Sequence, residues 1–325
     1  MHDVARLAGV SQMTVSRVMR QTAYISRDVQ EVVERAAREL GYVHNRLAGG
    51  IAAYDNPLVG VVIPTLQNRV FTEVLSGISD TLDKSRLRPV FGVSEYSLKA
   101  EEDLVFDLLS WRPRGLILSG LEHNEVVRQI VTRTGVRIAE IMDLDGEPIS
   151  ACFGFSQKQA GTEMANHLLE RGYRSFGYVS SLSGSDLRAA KRYEAFSERV
   201  RAAGGRIMGS RTTDETSSMV VGRRLTSEIL GRKRKPDAIY YANDDLAAGG
   251  LMHCLSTGVK VPKDVAIAGF NGLNFLAALP LQITTTETPR YEIGAAAAQW
   301  LVDGERSEER QKHPLKVRIR VGETT

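Results

Sequence analysis

Apolar positions near the start of the chain recur at the spacing of α-helices. Six of them follow an i, i+3, i+4, i+7, i+8, i+11 pattern and would form one helix face: Val29, Val32, Val33, Ala36, Ala37 and Leu40. Ser26 and Asp28 stand where they can cap that helix. Earlier, residues 4–8 suit a short helix and residues 11–19 a second one, with Gly9 at the corner. This spacing is typical of a helix-turn-helix motif, although other pairs of short amphipathic helices look the same.

After residue 57 the pattern changes to short β-rich runs that alternate with helical periodicity. The clearest runs are VGVVI at 59–63, GLIL at 115–118, FGYV at 176–179, AIYY at 238–241 and VAIA at 265–268. This alternation predicts βαβ units with parallel sheets. About ten such strands would crowd one sheet, so we expect two doubly wound lobes. Ligands of such sheets bind at the carboxyl ends of the strands, which places a site in the cleft between lobes.

A stretch of glycines and turn residues, GGIAAYDNP at 49–57, lies between these two patterns and indicates a linker. Residues 1–53 carry seven Arg, no Lys and five acidic residues, a net charge of +2 out of the +3 of the whole chain. A total of +3 is too small to indicate a nucleic-acid partner, so that inference depends on the local motif.

Composition narrows the class of protein. The chain has 325 residues, of which 42% are hydrophobic and 25% charged, as expected for two or three globular domains. The longest mainly apolar stretch, residues 293–302, is about half of the roughly 20 residues that cross a bilayer. No export signal precedes the first motif, and Cys152 and Cys254 cannot form a disulfide framework in a chain of this length. We therefore expect a cytoplasmic protein with reduced thiols and no membrane partner.

The second helix of the motif offers side chains that could read DNA. Four would project from the face opposite its apolar side: Gln12, Met13, Ser16 and Arg17. Arg17 can contact a guanine edge with two hydrogen bonds, Gln12 can contact an adenine, and Met13 can touch a thymine methyl. Thr14, Ser16 and Tyr24 are better suited to phosphates.

These residues carry a resemblance to a known family. The segments DVARLAGVSQMTVSRVM and ISRDVQEVVERAARELGYVHNRLA resemble the headpiece of the LacI/GalR family of bacterial transcription repressors. The similarity continues through HLLERGYRSFGYV, YYANDDLAAGGL, VPKDVAIAGFNG and LPLQITTTETPRYEIG, and so covers nearly the whole chain. Within the family, PTLQNRVFTEVLSGI, LLSWRPRGLIL and AEIMD are most similar to the gluconate-operon repressors.

The resemblance implies a division of the chain. It gives a helix-turn-helix headpiece over 1–44, a hinge helix and linker over 45–56, and an effector-binding and dimerisation domain over 57–325. This effector-binding and dimerisation domain would resemble the two-lobed periplasmic binding proteins and consist of two doubly wound parallel sheets. Its amino lobe would take about 57–156 and 288–316, and its carboxyl lobe about 157–287 and 317–325.

The hinge segment, as the resemblance implies it, would become helical on operator DNA and enter the minor groove. Asn45 would contact DNA, and Ile51 stands where the family usually has a leucine wedge that unstacks a base step. Gly49 and Gly50 fall inside this helix, and each costs about 1 kcal/mol relative to Ala. The helix should therefore depend on DNA, or the segment is simply flexible.

The resemblance also implies an effector site in the cleft. Its walls would comprise Thr65, Val70, Phe71, Phe155, Ser156, Arg188, Asn243, Asp244 and Asn271. Arg188 is the candidate for binding a ligand carboxylate, although Arg192 stands where Gly is usual, so a neighbour of Arg188 could face the cleft instead. Asn271 and Ser156 stand where Asp is common. This loss of negative charge favours a small polyhydroxylated anion, with gluconate or a ketogluconate the leading candidate and a neutral sugar or purine the alternative.

Glu140 interrupts an otherwise apolar strand, IAEIM at 138–142. A buried carboxylate needs a partner, and Glu140 could hold Arg188 or accept hydrogen bonds from ligand hydroxyls. It could equally lie at a strand end in water, which is the commoner case.

The function that follows is sequence-specific repression of carbohydrate catabolism genes, by a homodimer on pseudo-palindromic operator DNA that the effector releases. An enzyme is disfavoured, since no GxGxxG, P-loop, GxSxG or HExxH motif is present and the six histidines are scattered. We expect no cofactor and no metal site. A stand-alone sugar-binding protein without a DNA role is the remaining alternative, and the motif in residues 1–53 argues against it.

Overall fold

The computed structural model describes residues 2–20, 25–40, 56–181, 185–304 and 309–325. The chain divides into two compact units, Met1–Asp55 and Asn56–Thr325. We call the first unit the headpiece and the second, which contains the predicted effector-binding domain, the sensor.

Three helices form the described part of the headpiece: α1 (His2–Ala8), α2 (Gln12–Arg20) and α3 (Arg27–Glu39). Gly9 makes the corner between α1 and α2 at φ +66°, a left-handed conformation that glycine adopts without strain. Ser11 starts α2, because its Oγ accepts a hydrogen bond from Thr14 N at 3.1 Å. This is the helix-turn-helix arrangement that the sequence predicts.

The headpiece core is small and combines residues of all three helices: Val4, Ala5, Val15, Val18, Val33, Ala36 and Ala37. The apolar face of α3 is narrower than its periodicity suggests. Val32 is 41% exposed and Leu40 is 46% exposed, so the prediction that both belong to the buried face is wrong. Leu40 lies one residue beyond the end of α3, and Val32 is not among the α3 residues that pack in the headpiece core.

The amino lobe of the sensor contains a six-stranded parallel sheet of order β11-β5-β4-β3-β1-β2. Its strands are β1 (Leu58–Ile63), β2 (Arg88–Val93), β3 (Gly115–Ser119), β4 (Arg137–Ile141), β5 (Ala151–Gly154) and β11 (Gln311–Pro314). The helices of this lobe are α4 (Arg69–Asp83), α5 (Leu98–Ser110), α6 (Glu125–Thr134) and α11 (Arg290–Asp303). Apolar clusters on both faces of the sheet show that helices cover each side.

The carboxyl lobe repeats this architecture with the order β12-β10-β9-β8-β6-β7. Its strands are β6 (Ser175–Val179), β7 (Arg206–Arg211), β8 (Ala238–Tyr241), β9 (Ala266–Asn271), β10 (Thr284–Glu287) and β12 (Arg318–Arg320). Its helices are α7 (Gln157–Glu170), α8 (Leu187–Ala202), α9 (Met219–Leu230) and α10 (Asp244–Thr257). Among the described strands of this lobe, β12 alone pairs in the antiparallel sense, with β10.

The chain passes between the two sheets after β5, after β10 and after β11. These crossings set the carboxyl ends of both sheets around one cleft, as parallel α/β sheets require for ligand sites. The predicted fold class is confirmed: an all-α headpiece and an α/β sensor of two parallel-dominated sheets. No helix in the described ranges is long and apolar enough to cross a membrane.

Helices α4 and α11 cross at backbone contact, which only glycine permits. A Cβ at Gly77 would lie 2.1 Å from the carbonyl oxygen of Tyr291, and a Cβ at Gly294 would lie 2.1 Å from that of Val74. Real Cβ atoms do not approach backbone so closely, so a larger side chain must force the helices apart.

Gly77→Ala should therefore lower the free energy of unfolding of the sensor by about 1–3 kcal/mol, as overpacking of a close contact does. Urea unfolding followed by fluorescence measures this loss. Ser76→Ala is the matched control on the exposed side of α4 and should change the free energy by less than about 0.5 kcal/mol. Equal midpoints for Gly77→Ala and the native chain would contradict the close crossing.

Candidate DNA-reading helix and ligand cleft

Helix α2 presents three of its four candidate DNA readers to solvent. Gln12, Met13 and Arg17 are exposed, and Met13 is an exposed apolar side chain in a headpiece with a small core. Thr14 is half-buried, and its hydroxyl lies 2.9 Å from Ser11 Oγ. These positions leave Arg17 and Gln12 available for base edges, and their contacts with DNA remain a prediction.

Ser16 departs from the expected arrangement. It is only 9% exposed, so the prediction that it projects from the open face of α2 is wrong. Helix α2 contacts both α1 and α3, which covers a wider arc of the helix than a two-helix motif would. Tyr24, Asn45 and Ile51, together with the predicted hinge helix, lie outside the described residues.

The cleft of the sensor brings together six of the nine predicted effector residues: Val70, Phe71, Phe155, Arg188, Asn243 and Asn271. Their elements come from both lobes, at the starts of α4 and α8 and at the ends of β5, β8 and β9. The free volume between them is about 30 Å³, room for roughly two water molecules. The cleft is therefore narrow in this conformation.

Thr65, Ser156 and Asp244 do not line this cleft, contrary to expectation. Thr65 Oγ1 accepts a hydrogen bond from Gln67 N at 3.1 Å. Ser156 caps α7 by accepting from Gln159 N at 2.9 Å. Thr65 and Ser156 thus serve local structure, in the turn after β1 and at the start of α7.

Asp244 is fully buried below the cleft. Its carboxylate accepts hydrogen bonds from Thr285 Oγ1 at 2.6 Å and from Leu273 N at 2.7 Å. Burial raises the pKa of Asp244 to about 7, although these hydrogen bonds act in the opposite direction. Asp244 thus joins α10 to β10 and to the loop after β9.

Several cleft residues were missed by the sequence analysis: Tyr96, Met142, Gln157, Asp186 and Phe270. Tyr96 and Met142 follow the carboxyl ends of β2 and β4, so the strand-end rule applied to every strand would have found both. Tyr96 has φ +59° and Met142 has φ +75°, which non-glycine residues rarely adopt.

The register of α8 is settled: both Arg188 and Arg192 line the cleft. Arg188 is 12% exposed, and its Nη1 donates to Ser119 Oγ at 2.6 Å, which joins the carboxyl lobe to the amino lobe. Its Nε lies 4.0 Å from Asp186 Oδ1. Its guanidinium stands 5.7 Å from the centre of the Phe71 ring, within the range of cation–π attraction. Arg188 is the accessible cation of the pair.

Arg192 occupies the inner part of the cleft and is buried. Its guanidinium lies 3.8 Å from the centre of the Phe270 ring. It donates to Gln157 Oε1 at 2.5 Å and to the carbonyl oxygen of Ala242 at 3.0 Å. These contacts hold the side chain in place, and they fill space against an aromatic surface that a ligand ring would otherwise use.

Two asparagines complete the polar lining. Asn243 Oδ1 caps α10 by accepting from Leu246 N at 3.0 Å and also accepts from Ser217 Oγ at 2.9 Å, so its amide nitrogen is the group left for a ligand. Asn271 has φ +116°, and its carbonyl oxygen accepts from Thr288 Oγ1 at 3.3 Å and from Arg290 Nη1. Neither side chain brings negative charge into the cleft.

A second interlobe contact lies beside Arg188. Lys191 Nζ donates to Asp143 Oδ2 at 2.6 Å and to the carbonyl oxygen of Asp145 at 2.8 Å, and it also pairs with Glu122. Burial acts to lower the pKa of Lys191, but the hydrogen bonds with Asp143 and Glu122 outweigh it and raise that pKa. Lys191 and Arg188 together hold the lobes in the narrow-cleft conformation.

Glu140 has a partner that the sequence did not reveal. It is fully buried, its Oε2 accepts from Ile149 N at 2.6 Å, and its Oε1 lies 3.4 Å from His123 Nε2. His123 Nδ1 lies 2.6 Å from Glu101 Oε1. Glu140 therefore neither holds Arg188 nor lies in water, and His123 is not a scattered histidine but the centre of a Glu101–His123–Glu140 cluster.

The cluster favours a protonated His123. Burial acts to lower the pKa of this imidazole, but its hydrogen bond with Glu101 and the nearby carboxylate of Glu140 outweigh burial and raise the pKa to about 9. The positive charge then compensates two carboxylates that would otherwise be buried without a counterion.

The raised pKa of His123 makes a prediction about stability. Because the folded pKa of about 9 exceeds the ordinary histidine pKa of 6.5, which applies in the unfolded chain, the stabilisation is complete below pH 6.5 and disappears as the pH rises through 9. The free energy of unfolding should fall by about 2 kcal/mol between pH 7 and pH 9.5. Asp244, with a pKa of about 7, is half-protonated at the start of this window and adds only about 0.4 kcal/mol to the fall.

Urea unfolding at each pH, on the native chain and on His123→Gln, measures this effect. The variant lacks the imidazole, so its free energy of unfolding should fall by about 2 kcal/mol less than that of the native chain over the same window. Asp244 and the buried thiols of Cys152 and Cys254, whose pKa values burial also raises, act equally in both proteins. An equal fall in both proteins would show that other groups cause it.

Comparisons with known proteins agree with this geometry. Residues 1–45 match the family described as bacterial regulatory proteins, lacI family, and residues 165–325 match a periplasmic binding protein-like domain. The HTH-type transcriptional regulator GntR of Pseudomonas aeruginosa is 37% identical over 93% of this chain and 88% of its own.

Solved structures give the same result. A LacI family transcriptional regulator from Silicibacter pomeroyi is 40% identical, with a TM-score of 0.94, over 99% of this chain and 98% of that one. The transcription regulator GntR from Chromobacterium violaceum is 35% identical, with a TM-score of 0.76, over 82% of this chain and 98% of its own. All three relatives are regulators of transcription rather than enzymes.

Proposed function

This chain belongs to the LacI family of bacterial DNA-binding transcriptional regulators, and we propose that it represses sugar-acid catabolism genes until a small sugar acid binds in its cleft. The observation that carries the proposal is the position of Arg188. Its guanidinium is partly accessible in a narrow cleft, where a carboxylate can accept two parallel hydrogen bonds from it.

The charge of the cleft supports an anionic ligand. Arg188 and Arg192 contribute two positive charges and Asp186 one negative charge, while Asn243 and Asn271 are neutral. An anion is therefore attracted, and the low dielectric constant of a nearly closed site strengthens that attraction. The amide groups and the Tyr96 hydroxyl supply hydrogen-bonding partners for hydroxyl groups. Gluconate or a ketogluconate has both features.

The headpiece supports recognition of operator DNA. Gln12, Met13 and Arg17 are exposed on α2, the helix that enters the major groove in helix-turn-helix proteins. A headpiece of this size contacts only a few base pairs. We infer that the chain acts as a homodimer whose two headpieces bind the half-sites of a pseudo-palindrome.

Ligand binding would be coupled to DNA binding through a change in the angle between the lobes. Arg188 joins the lobes through Ser119, and Lys191 joins them through Asp143 and Glu122. A carboxylate that binds Arg188 competes with Ser119 for the same guanidinium. Ligand binding would thus alter the interlobe contacts, and the free energy of coupling to DNA is typically about 1–3 kcal/mol and reciprocal.

A thermal-unfolding screen of the full chain tests the proposal. We expect gluconate or a ketogluconate to stabilise the sensor by about 2.7 kcal/mol at 100 times its Kd, and glucose and guanine to have no effect. Stabilisation by a neutral sugar or a purine, with none by sugar acids, would overturn the assignment of the ligand class.

A further inference from the structure

A second cavity opens beside the effector cleft and shares Tyr96 and Arg188 with it. Its volume is about 200 Å³, against about 30 Å³ for the cleft itself. Its other polar lining residues come from the carboxyl ends of β2 and β3, from the start of α5 and from the segment before α8: Ser94, Ser97, Glu101, Ser119, Glu122 and Ser185. We refer to this cavity as the outer compartment.

The inner part of the cleft is closed to a sugar ring. Arg192 lies 3.8 Å from the Phe270 ring centre and is fixed by Gln157 and by the carbonyl oxygen of Ala242. A ligand that stacked on Phe270 would have to displace this buried guanidinium from its hydrogen bonds, which costs more than an ordinary side-chain movement. The accessible guanidinium, Arg188, lies instead at the junction of the two spaces.

The carboxylates of the outer compartment are compensated. Glu101 pairs with His123, whose Nδ1 lies 2.6 Å away, and Glu122 pairs with Lys191. Carboxylate oxygens in such pairs still have lone pairs that accept hydrogen bonds from ligand hydroxyls. They do so without adding the full repulsion that a free carboxylate would exert on an anionic ligand. The serine hydroxyls add groups that both donate and accept.

On the basis of the proposed sugar-acid function, we propose that the outer compartment binds the hydroxylated chain of the effector while Arg188 binds its carboxylate. The ligand class is then a linear polyhydroxy acid in extended form. The carboxylate at one end binds Arg188, which lines both spaces, and the hydroxyls along the chain bind Glu101, Glu122 and the serines. Neutral cyclic sugars are disfavoured because they lack the carboxylate that Arg188 binds.

Chain length provides the first test. Glycerate has the carboxylate and two hydroxyls, threonate has three hydroxyls and gluconate has five. In calorimetric titrations of the full chain, gluconate should bind at least 100-fold more tightly than glycerate, with threonate between them. Equal affinities for the three acids would overturn the proposal, because the carboxylate alone would then account for binding.

Filling the compartment provides the second test. Leu98 lines the outer compartment at the first residue of α5 and does not line the cleft. Leu98→Trp should lower the ratio of gluconate affinity to glycerate affinity at least tenfold, because the indole takes up space that the longer chain needs. Val126→Trp is the matched control, an equally exposed residue in the first turn of α6, and should leave the ratio unchanged.

The outcomes separate this proposal from the function on which it rests. If no acid of any length binds, the sugar-acid function fails. If gluconate binds but the ratio is the same in the native chain, Leu98→Trp and Val126→Trp, the function stands and the outer compartment is not its binding site. Should Leu98→Trp not fold, the chain-length series on the native chain still decides the matter.

Discussion

Arg188→Gln should raise the Kd of the full chain for gluconate about 100-fold. A guanidinium binds a carboxylate through two charge-assisted hydrogen bonds, and each such bond contributes about 1.5–3 kcal/mol when desolvated. Glutamine keeps one amide nitrogen as a donor group and removes the positive charge, so roughly 3 kcal/mol of binding free energy should be lost. Isothermal titration calorimetry measures both constants.

Two further variants make this result specific. Arg201→Gln changes an exposed arginine on the same helix, α8, and should leave the Kd for gluconate unchanged. Arg188→Lys retains the charge but not the planar fork, and its Kd should fall between those of the native chain and Arg188→Gln. A native Kd in Arg188→Gln would remove Arg188 from the site.

Arg17→Ala should weaken specific operator binding about 10- to 100-fold while leaving binding to random DNA nearly unchanged. Arg17 is exposed on α2, where its guanidinium can form two hydrogen bonds with a guanine edge worth about 1–3 kcal/mol of discrimination. Fluorescence anisotropy with a duplex selected from a random pool, and with a scrambled duplex of equal length, gives both affinities.

Arg27→Ala is the control for charge alone. Arg27 is exposed at the start of α3 and pairs with Glu31 at 3.6 Å, so its loss removes a headpiece charge without touching α2. Any loss of affinity that this substitution causes should be the same for the selected duplex and for the scrambled duplex. An equal loss on both duplexes for Arg17→Ala would make Arg17 a phosphate contact that carries no sequence information.

The parts of the fold that depend on local patterns could be predicted from the sequence. The helical spacing before residue 40 predicts the headpiece helices. The β-rich runs after residue 57 predict the strands and hence the two-sheet architecture. Burial at the margins of a helix depends on which neighbours cover it. For this reason Val32 and Leu40 proved exposed and Ser16 proved buried.

Cleft residues were predicted where a residue ends or closely follows a strand in a recognisable motif, as Asn271 and Asn243 do. They were missed where the partner is distant in sequence. Arg192 meets Phe270 across 78 positions, and nothing near either residue indicates that contact. His123 and Glu140 likewise meet only because α6 and its preceding loop pack beside β4, which no periodicity records.

One measurement tests the central claim most directly: titration of gluconate into the complex of the full chain with its selected operator duplex, followed by fluorescence anisotropy. We expect saturating gluconate to weaken operator binding about 5- to 150-fold and the operator to weaken gluconate binding by the same factor, as reciprocal coupling of about 1–3 kcal/mol requires. Glucose at the same concentration should leave the complex intact. An operator affinity that gluconate does not change, or that glucose lowers instead, would contradict release of this regulator by a sugar acid.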